Sequence, residues 1–229
     1  MLATRFTLFL VILAVVSSVS YAADPDPLQD FCVGFNDSFS MVSVNGKFCK
    51  NPELVKPEDF FYTGLDKAGD TSNPLGSKLT QVFQDQLGGL NHQGVGMVKI
   101  ELEPKGLNPP HEHPRASEII FVSEGTMYVG FIESNPSDPN EPNKLYAKIL
   151  SPGDVYMFPR GMLHFQYNVG KTNAVAYASF NSQNPGVVTV ASSLFGSKPP
   201  VEPEVLAKAF QIDVKMVEYL QSLTWKRNN

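Results

Sequence analysis

Seven short apolar runs follow one another through the middle of the chain, and they constrain its fold more than any other feature of the sequence. The runs are rich in β-branched and aromatic residues and cover 95–102, 118–122, 126–132, 144–150, 155–158, 164–169 and 174–180. Clusters of Gly, Pro, Asn and Asp separate them, as turns separate strands. This pattern predicts an all-β sandwich or barrel, and 42% hydrophobic residues suffice to fill its core.

The first residues of the chain have the composition of a secretory signal peptide. Arg5 precedes an apolar stretch over 6–16, and Ser20-Tyr21-Ala22 provides small residues for cleavage. A membrane anchor is the alternative, but the stretch is short for a stable membrane span. We therefore expect residues 1–22 to be removed and the mature chain to be exported, without attachment to a membrane.

Residues 23–55 form the next predicted segment, an N-terminal arm that contains both cysteines of the sequence, Cys32 and Cys49. In an exported protein such an even pair favours a disulfide. A metal pair is the alternative, but two cysteines without nearby histidines make a poor zinc site. Between them, Asn36-Asp37-Ser38 matches the acceptor pattern for N-glycosylation, which makes Asn36 a candidate site.

The remaining chain divides into a barrel over 56–200 and a helical segment over 201–229. Pro203 suits the first turn of one helix, and Asp213 suits the N-cap of a second. Each helix carries an apolar stripe, formed by Leu206, Ala209 and Phe210 in the first and by Val214, Val217 and Leu220 in the second. A closed barrel has no interior room for these stripes. They therefore cover its mouth or contact another subunit, and the sequence leaves both alternatives open.

The formal net charge of the chain is −5, and its lysines and arginines form no cluster. A nucleic-acid-binding surface needs a cationic face toward the phosphates. The sequence therefore argues against nucleic acid as a partner.

Three of the four histidines fall in two compact patterns. In the first, His111 and His113 lie two positions apart, so on an extended chain both side chains point to the same face, while Glu112 faces away. Glu118 lies an odd number of positions further along and cannot join them on one straight strand. Because Pro114 interrupts the run, we expect Glu118 to come from a neighbouring strand that faces the same interior.

The second pattern surrounds His164. Turn signals at Pro152-Gly153 and Pro159-Arg160-Gly161 bracket the strand that precedes it. From His164 onward, polar and apolar residues alternate, and the polar face consists of His164, Gln166 and Asn168. A polar face that points into a barrel needs partners for its polar atoms, and a metal or ligand supplies them.

Together the two patterns resemble the paired motifs of the cupin superfamily. They read His-x-His, four residues, Glu, six residues and Gly, and then Gly, five residues, Pro-x-Gly, two residues, His, three residues and Asn. The first motif departs from the superfamily at its opening glycine, where Lys105 stands beside Gly106. That departure lies outside the expected ligands. The resemblance implies a metal site with four ligands: His111, His113, Glu118 and His164.

A closer resemblance, to plant germins and germin-like proteins, covers nearly the whole mature chain. Its stretches include Asn108-Pro-Pro-His-Glu-His-Pro-Arg115 and Ser182-Gln-Asn-Pro-Gly186, with others at 26–32, 45–49, 124–131, 164–171 and 194–200. The resemblance implies a cupin jelly-roll β-barrel with a short N-terminal arm and C-terminal α-helices. It also implies an extracellular glycoprotein of the apoplast or cell wall with a role in plant defence or stress, and homohexamers in which the C-terminal helices clasp neighbouring subunits.

The ligands alone do not choose the metal. Three imidazoles and one carboxylate hold several divalent ions, and intrinsic affinity favours copper or zinc. Manganese (Mn²⁺) is implied by the resemblance, together with an octahedral site whose open positions a small anion or superoxide can reach.

Three functions follow from the resemblance. The first is a manganese-dependent superoxide dismutase. The second is an oxalate oxidase, in which two asparagines orient the substrate. By ungapped counting, the first asparagine position falls on Asn91 and the second on Val98, which has no hydrogen-bonding group, so this activity is disfavoured. The third is a non-enzymatic extracellular protein, auxin-binding-like or a nutrient reservoir, whose metal is structural.

Overall fold

A computed structural model describes residues 32–34 and 46–225, and in these residues the chain forms two five-stranded antiparallel sheets. The first sheet has the order β1-β2-β9-β4-β7 and contains Ser77–Val82, Gly96–Leu102, Ala174–Phe180, Glu118–Glu124 and Val155–Phe158. The second has the order β10-β3-β8-β5-β6 and contains Val188–Thr189, Leu107–Glu112, His164–Asn168, Met127–Ile132 and Leu145–Leu150. The prediction of an all-β fold is confirmed.

The core lies between the two sheets and takes alternate residues from several strands of both. Strand β2 contributes Val98, Ile100 and Leu102, and strands β4 and β5 contribute residues such as Ile120 and Val129. This alternation follows from the two-residue period of a strand. One face of each sheet is therefore committed to the interior, where the site described below also lies.

The outward face of β2 is buried as well, by the chain that precedes β1. Lys99 donates from Nζ to the carbonyl oxygen of Lys67 at 2.9 Å and lies 3.0 Å from Glu101 Oε1. The backbone N–H of Gly69 donates to that same carboxylate oxygen at 3.0 Å. An ion pair between two strand residues thus attaches the 67–69 segment to the barrel.

Three strands lie outside the seven apolar runs of the sequence: β1, β3 and β10. Strand β3 contains Pro109 and Pro110, which lack the N–H that a strand ladder uses, and its register with β8 shifts between Asn108 and His111. Such a bulged, proline-containing strand has little of the usual strand composition, which is why the sequence did not mark it.

A disulfide closes the N-terminal arm on itself, and a buried asparagine attaches the arm to the barrel. Cys32 and Cys49 form the predicted disulfide. Asn91 accepts from the backbone N–H of Lys47 at 2.8 Å and donates from Nδ2 to the Lys47 carbonyl oxygen at 2.7 Å. The predicted signal peptide over 1–22 and the candidate glycosylation site Asn36 lie outside the described residues.

The chain ends in three short helices, α1 (Val190–Phe195), α2 (Pro203–Phe210) and α3 (Val214–Ser222). Pro203 opens α2, and the Asp213 side chain caps α3 by accepting from the backbone N–H of Lys215 at 2.8 Å, as the sequence predicts. Within residues 32–34 and 46–225, no helix has the length and apolar character that crossing a membrane requires.

The helices form a hydrophobic cluster of their own. Its buried members are Phe195, Leu206, Ala207 and Val217. Burial of Leu206 and Val217 agrees with the predicted stripes. In α2, however, Ala207 is buried in place of Ala209, and Phe210 stays 46% exposed although its ring lies 5.5 Å from that of Phe195. Phe210 is the last residue of α2, so the neighbouring helices cover only part of it.

Candidate metal centre

The three predicted histidine ligands come from one end of the second sheet. His111 on β3 lies directly opposite His164 on β8, with ring centroids 4.1 Å apart. His113 follows the last residue of β3, and its ring lies 5.1 Å from that of His111. All three side chains are buried. The structure thus brings together the histidines that the two sequence patterns place 51 or more residues apart, namely His111 and His113 on one side and His164 on the other.

Glu118 approaches them from the facing sheet. It is the first residue of β4, and its Oε2 lies 3.1 Å from His113 Nε2 and 3.1 Å from His164 Nε2. The sequence correctly predicts that Glu118 comes from another strand and faces the same interior; that strand, β4, lies in the facing sheet and does not pair with β3. After Pro114 the chain crosses between the sheets, and the carboxylate therefore meets the histidines across the barrel rather than along one sheet.

Backbone carbonyls fix the orientation of every imidazole. The Nδ1 atoms lie 2.8 Å from the Pro109 oxygen for His111, 2.5 Å from the Gly186 oxygen for His113 and 2.8 Å from the Met162 oxygen for His164. Because a carbonyl oxygen only accepts, we assign the ring proton to Nδ1 in each case. Each Nε2 then presents a lone pair to the centre, as a metal ligand must.

Aromatic rings complete the enclosure of two of these imidazoles. Phe158 stacks on His164 with centroids 4.5 Å apart and an interplanar angle of 19°. Phe180 meets His113 edge-on at 4.8 Å. These contacts restrict rotation of both imidazoles, so their Nε2 atoms keep facing Glu118.

The electrostatics of the group favour neutral imidazole beside an ionised carboxylate. Burial, together with the nearby His164, lowers the pKa of His111 from 6.5 to about 3. Burial by itself would raise the pKa of Glu118, but close contact of its carboxylate with the His113 and His164 rings, at 3.1 Å each, outweighs burial and lowers that pKa from 4.5 to about 2. At neutral pH, His111 is therefore neutral and Glu118 carries a negative charge, which are the states in which they ligate a metal.

The dimensions of the group suit a metal ion. One ligand atom from each of the four residues lies within 4.8 Å of the others. Two atoms that each lie about 2.2 Å from an ion, at right angles, are about 3.1 Å apart. The Glu118 oxygen lies at that distance, 3.1 Å, from two of the histidine nitrogens. His111, His113, Glu118 and His164 can therefore hold a metal ion.

The group borders a cavity of about 390 Å³. Three of the four ligands, His111, His113 and Glu118, line it. So does Val98, whose side chain is 5% exposed and closes one wall with methyl groups. A ligand in the cavity can thus reach three of the four metal-binding side chains directly.

Two further polar residues belong to the site. Asn108 lines the cavity and donates from Nδ2 to Gln166 Oε1 at 2.6 Å, and Gln166 Nε2 lies 3.5 Å from Glu118 Oε1. Gln166 belongs to the polar face that the sequence indicates on the His164 strand. Asn108 was missed because it stands an odd number of positions before His111, and only the bulge at Pro109-Pro110 turns both inward.

Asn91, expected in the pocket from ungapped counting, has another place. Its amide is occupied by Lys47 of the arm, as described above, and by a contact of 3.4 Å from Nδ2 to Cys32 Sγ. Among the described residues, those that line the cavity include Asn108 and Val98 but not Asn91. Asn108, and not Asn91, therefore lies beside the candidate ligands.

Comparison with known proteins decides the family. The chain matches the Cupin family over residues 63–218. It is 56% identical over 212 residues to germin-like protein subfamily 1 member 7 of Arabidopsis thaliana, covering 93% of this chain and 90% of that one. The chain belongs to the germin-like cupins. Member 13 of the same subfamily is 54% identical over 209 residues, covering 91% of this chain and 92% of that one.

Solved structures agree with this assignment. Recombinant oxalate oxidase in complex with glycolate superposes on this germin-like cupin with a TM-score of 0.81 at 46% identity, covering 87% of this chain and 97% of the other. Peruvianin-I, described as a cysteine peptidase from Thevetia peruviana latex, superposes with a TM-score of 0.65 at 40% identity, covering 73% and 98%. The two sheets are therefore those of the cupin fold, as the sequence predicts.

Proposed function

We propose that this germin-like cupin binds manganese through His111, His113, Glu118 and His164 and dismutes superoxide outside the cell. The observation that carries the proposal is that a buried set of side chains able to hold a metal ion borders a cavity through three of its four members. A metal held there is enclosed by the protein on one side and open to small anions on the other.

The chain's own residues set the conditions for this chemistry. Manganese, when bound, supplies a one-electron redox couple and open coordination positions. The ionised Glu118 offsets one of the positive charges of Mn²⁺, whereas neutral imidazoles offset none, so an anion entering the cavity still meets net positive charge. Superoxide is such an anion, and it is small enough to need no further orienting contact.

A structural metal in a non-enzymatic binding or storage protein is the alternative from another class. A metal with a purely structural role is expected in a site that is closed to small molecules. Here His111, His113 and Glu118 all line the cavity, which favours access over closure. We therefore rank this alternative second.

Oxalate oxidation is the second enzymatic candidate, and one observation favours it: this chain is 46% identical to a solved oxalate oxidase. Asn108 adds an amide beside the candidate ligands. Against it, Val98 presents methyl groups where the cavity would have to stabilise a dianion, and burying charge beside apolar groups is unfavourable. We propose that oxalate is turned over poorly.

We do not propose for this chain the cysteine peptidase activity that is named for Peruvianin-I. A cysteine peptidase needs a free thiolate as its nucleophile. The sequence holds two cysteines, and both are joined in the disulfide between Cys32 and Cys49.

We further propose that the protein is secreted to the cell wall and assembles into homohexamers through its C-terminal helices. The predicted signal peptide and the disulfide, which persists in oxidising compartments, support secretion. Exposed apolar residues on the helices, among them Met216 and Tyr219, support assembly, because large apolar side chains at a surface mark contact sites.

The proposal is tested by following superoxide decay with purified protein after manganese loading and removal of unbound metal. We expect the loaded protein to accelerate the decay beyond an equal concentration of free Mn²⁺, and the metal-free protein to leave it unchanged. Hydrogen peroxide release from oxalate is measured in parallel and should stay near background. Decay no faster than with free manganese would rule out the dismutase proposal.

A further inference from the structure

The loop between β9 and β10, residues 181–187, covers the cavity beside the metal centre. Five of its residues, Gln183, Asn184, Pro185, Gly186 and Val187, line the cavity. It contains the germin-like stretch Ser182-Gln-Asn-Pro-Gly186, and it also supplies the carbonyl that accepts from the His113 ring. The loop is therefore both a wall of the cavity and a support for one of the ligands.

Arg115 holds this loop through a forked contact. Its Nε donates to the Asn184 carbonyl oxygen at 2.7 Å, and its Nη2 donates to Asn184 Oδ1 at 3.1 Å. The backbone N–H of Arg115 adds a bond to the Pro185 oxygen at 3.1 Å. Two parallel donors on one planar group fix orientation as well as distance.

The arginine lies directly against the residue that supports His113. A Cβ atom placed on Gly186 would lie 2.8 Å from Arg115 Nη2, and Gly186 has a φ of +67°, where side chains are strained. Glycine at this position allows the guanidinium to approach the backbone closely. The Gly186 carbonyl is then 2.5 Å from His113 Nδ1, so Arg115 and His113 contact the same short segment.

The rest of the loop is attached at two other points. Gln183 accepts at its backbone oxygen from the N–H of Gln84 at 3.2 Å and at Oε1 from the N–H of Gly94 at 3.1 Å. Asn181 Oδ1 accepts from the backbone N–H of Ser117 at 2.8 Å. These bonds hold residues 181–183, whereas the Arg115 side chain acts on Asn184, two residues before the carbonyl that orients His113.

We propose that Arg115 is a positioning residue for the metal centre, acting through the 181–187 loop to keep the Gly186 carbonyl on His113 Nδ1. The inference rests on the proposed metal binding. Without the guanidinium, Asn184 loses two donors and Gly186 loses the group packed against it. The carbonyl can then move away, and His113 is free to rotate or to change tautomer. Because Arg115 is exposed, its truncation leaves no buried cavity, and the effect falls on the metal rather than on the fold.

The test compares Arg115→Ala with Arg160→Ala in the full-length protein. Arg160 is also exposed and donates from Nε to a backbone oxygen of the same region, that of Pro114, at 2.9 Å, but it does not hold the loop through a side-chain bond to Asn184. Three quantities are measured: the Mn²⁺ dissociation constant by chelator competition, the electron paramagnetic resonance spectrum of bound Mn²⁺, and the thermal midpoint of the metal-free protein.

We expect Arg115→Ala to weaken Mn²⁺ binding about tenfold and to change the spectrum, since loss of a group that orients a ligand costs about 10–100-fold in affinity. Arg160→Ala should keep both the affinity and the spectrum. Arg115→Lys keeps a donor but not the fork, so it should recover part of the affinity. If Arg115→Ala does not fold, the lysine variant carries the comparison, with weakened affinity and an altered spectrum expected.

Two results would overturn the inference. One is wild-type affinity and spectrum in both Arg115 variants. The other is an equal loss in Arg160→Ala, which would mean that any exposed arginine near the centre has this effect. Failure of the wild-type protein itself to bind Mn²⁺ would instead refute the proposed metal binding, so the two proposals fail in distinguishable ways.

Discussion

At the scale of single residues, each side chain of the candidate metal centre is held in an orientation and a protonation state that suit metal binding. The Nδ1 atoms of His111, His113 and His164 each contact a backbone carbonyl oxygen, and Glu118 Oε2 lies 3.1 Å from the Nε2 atoms of two of these rings. Such contacts remove the alternative tautomers and rotamers that a flexible site would have to give up on binding. They also hold neutral histidine in a buried position, which carries a cost at acid pH.

That cost predicts how the stability of the metal-free protein depends on pH. The pKa of His111 is about 3 in the folded state and about 6.5 in the unfolded chain. Between pH 3 and pH 6.5 the unfolded chain therefore binds more protons than the folded protein. Stability therefore falls as the pH drops from 6.5 toward 3, and the loss at pH 5 is about 2 kcal/mol. Glu118, with its pKa lowered from 4.5 to about 2, adds a loss in the same direction below pH 4.5.

Urea unfolding of the metal-free protein at pH 7 and pH 5 measures this effect. The midpoint should be clearly lower at pH 5. His92→Gln, at an exposed position outside the metal centre, serves as the control and should show the same pH dependence as the wild type. Equal midpoints at the two pH values would contradict the account of His111.

Val98 gives a prediction about substrate preference. Its methyl groups form part of the cavity wall, and an amide there could donate to a bound carboxylate. We expect Val98→Asn to raise hydrogen peroxide release from oxalate by the manganese-loaded protein, with about 1–3 kcal/mol lower stability from a buried amide. Val98→Ala removes the same methyl groups without adding a donor and should show no gain. Robust hydrogen peroxide release from oxalate by the wild-type protein would show that Val98 does not limit oxalate oxidation.

The sequence predicts which four side chains meet in the candidate metal centre, because their spacing and flanking turns are local patterns. Asn108 was not predicted, because the register of β3 shifts at Pro109 and Pro110. Across such a shift, the two-residue alternation of a strand no longer indicates which side chains face inward. For Asn91 the ungapped count predicted a place in the pocket, but in the structure its amide binds the backbone of Lys47 in the N-terminal arm. Residue placement across a bulge depends on backbone geometry that the sequence pattern does not contain.

At the scale of elements, the sequence predicts the strands that are apolar and rich in β-branched and aromatic residues, but not β1, β3 and β10. The runs at 155–158 and 174–180 coincide with β7 and β9, because apolar β-branched and aromatic residues occupy them. Strand β10 has only two residues, Val188–Thr189, and pairs with β3 at Glu112 and His111. Its place is fixed by the 181–187 loop and by pairing, so tertiary contacts rather than local propensity create it.

The C-terminal helices give a prediction about assembly. Val217 of α3 is buried in the helical cluster, whereas Met216 and Tyr219 are 50% and 59% exposed and lie three residues apart on one face. If this face contacts a neighbouring subunit, Met216→Asp combined with Tyr219→Asp should dissociate the assembly without emptying the metal site.

Mass in solution by light scattering tests this prediction, with manganese content measured on the same sample. The expected result is a smaller mass with unchanged metal. Glu218→Ala, at an exposed position between the two, is the control and should keep the wild-type mass. Deleting residues 201–229 is a less specific test, because it would also uncover Phe195. An unchanged mass in the double variant would mean that this face of α3 makes no subunit contact.

At the scale of the whole molecule, the barrel and the helical segment have separate cores. The core between the sheets surrounds the metal centre, and the second cluster joins the three helices. The outer face of the first sheet also carries apolar residues, with Ile119 opposite Met157 and Phe121 opposite Val155, all of them exposed in the single chain. The exposed apolar residues of α3 and of this sheet face support the proposed assembly, and neither set belongs to the candidate metal centre.

If four side chains of this barrel together hold one metal ion, the manganese content of the protein depends on each of them, and elemental analysis measures it. Manganese per chain is measured after loading and gel filtration for the wild type, Glu118→Ala and His164→Ala, with Glu112→Ala as the control because Glu112 lies next to two ligands without belonging to the group. We expect about one ion per chain in the wild type and in Glu112→Ala, and close to none in the other two, since an incomplete ligand set binds metal weakly. Wild-type manganese in Glu118→Ala or His164→Ala would contradict the account.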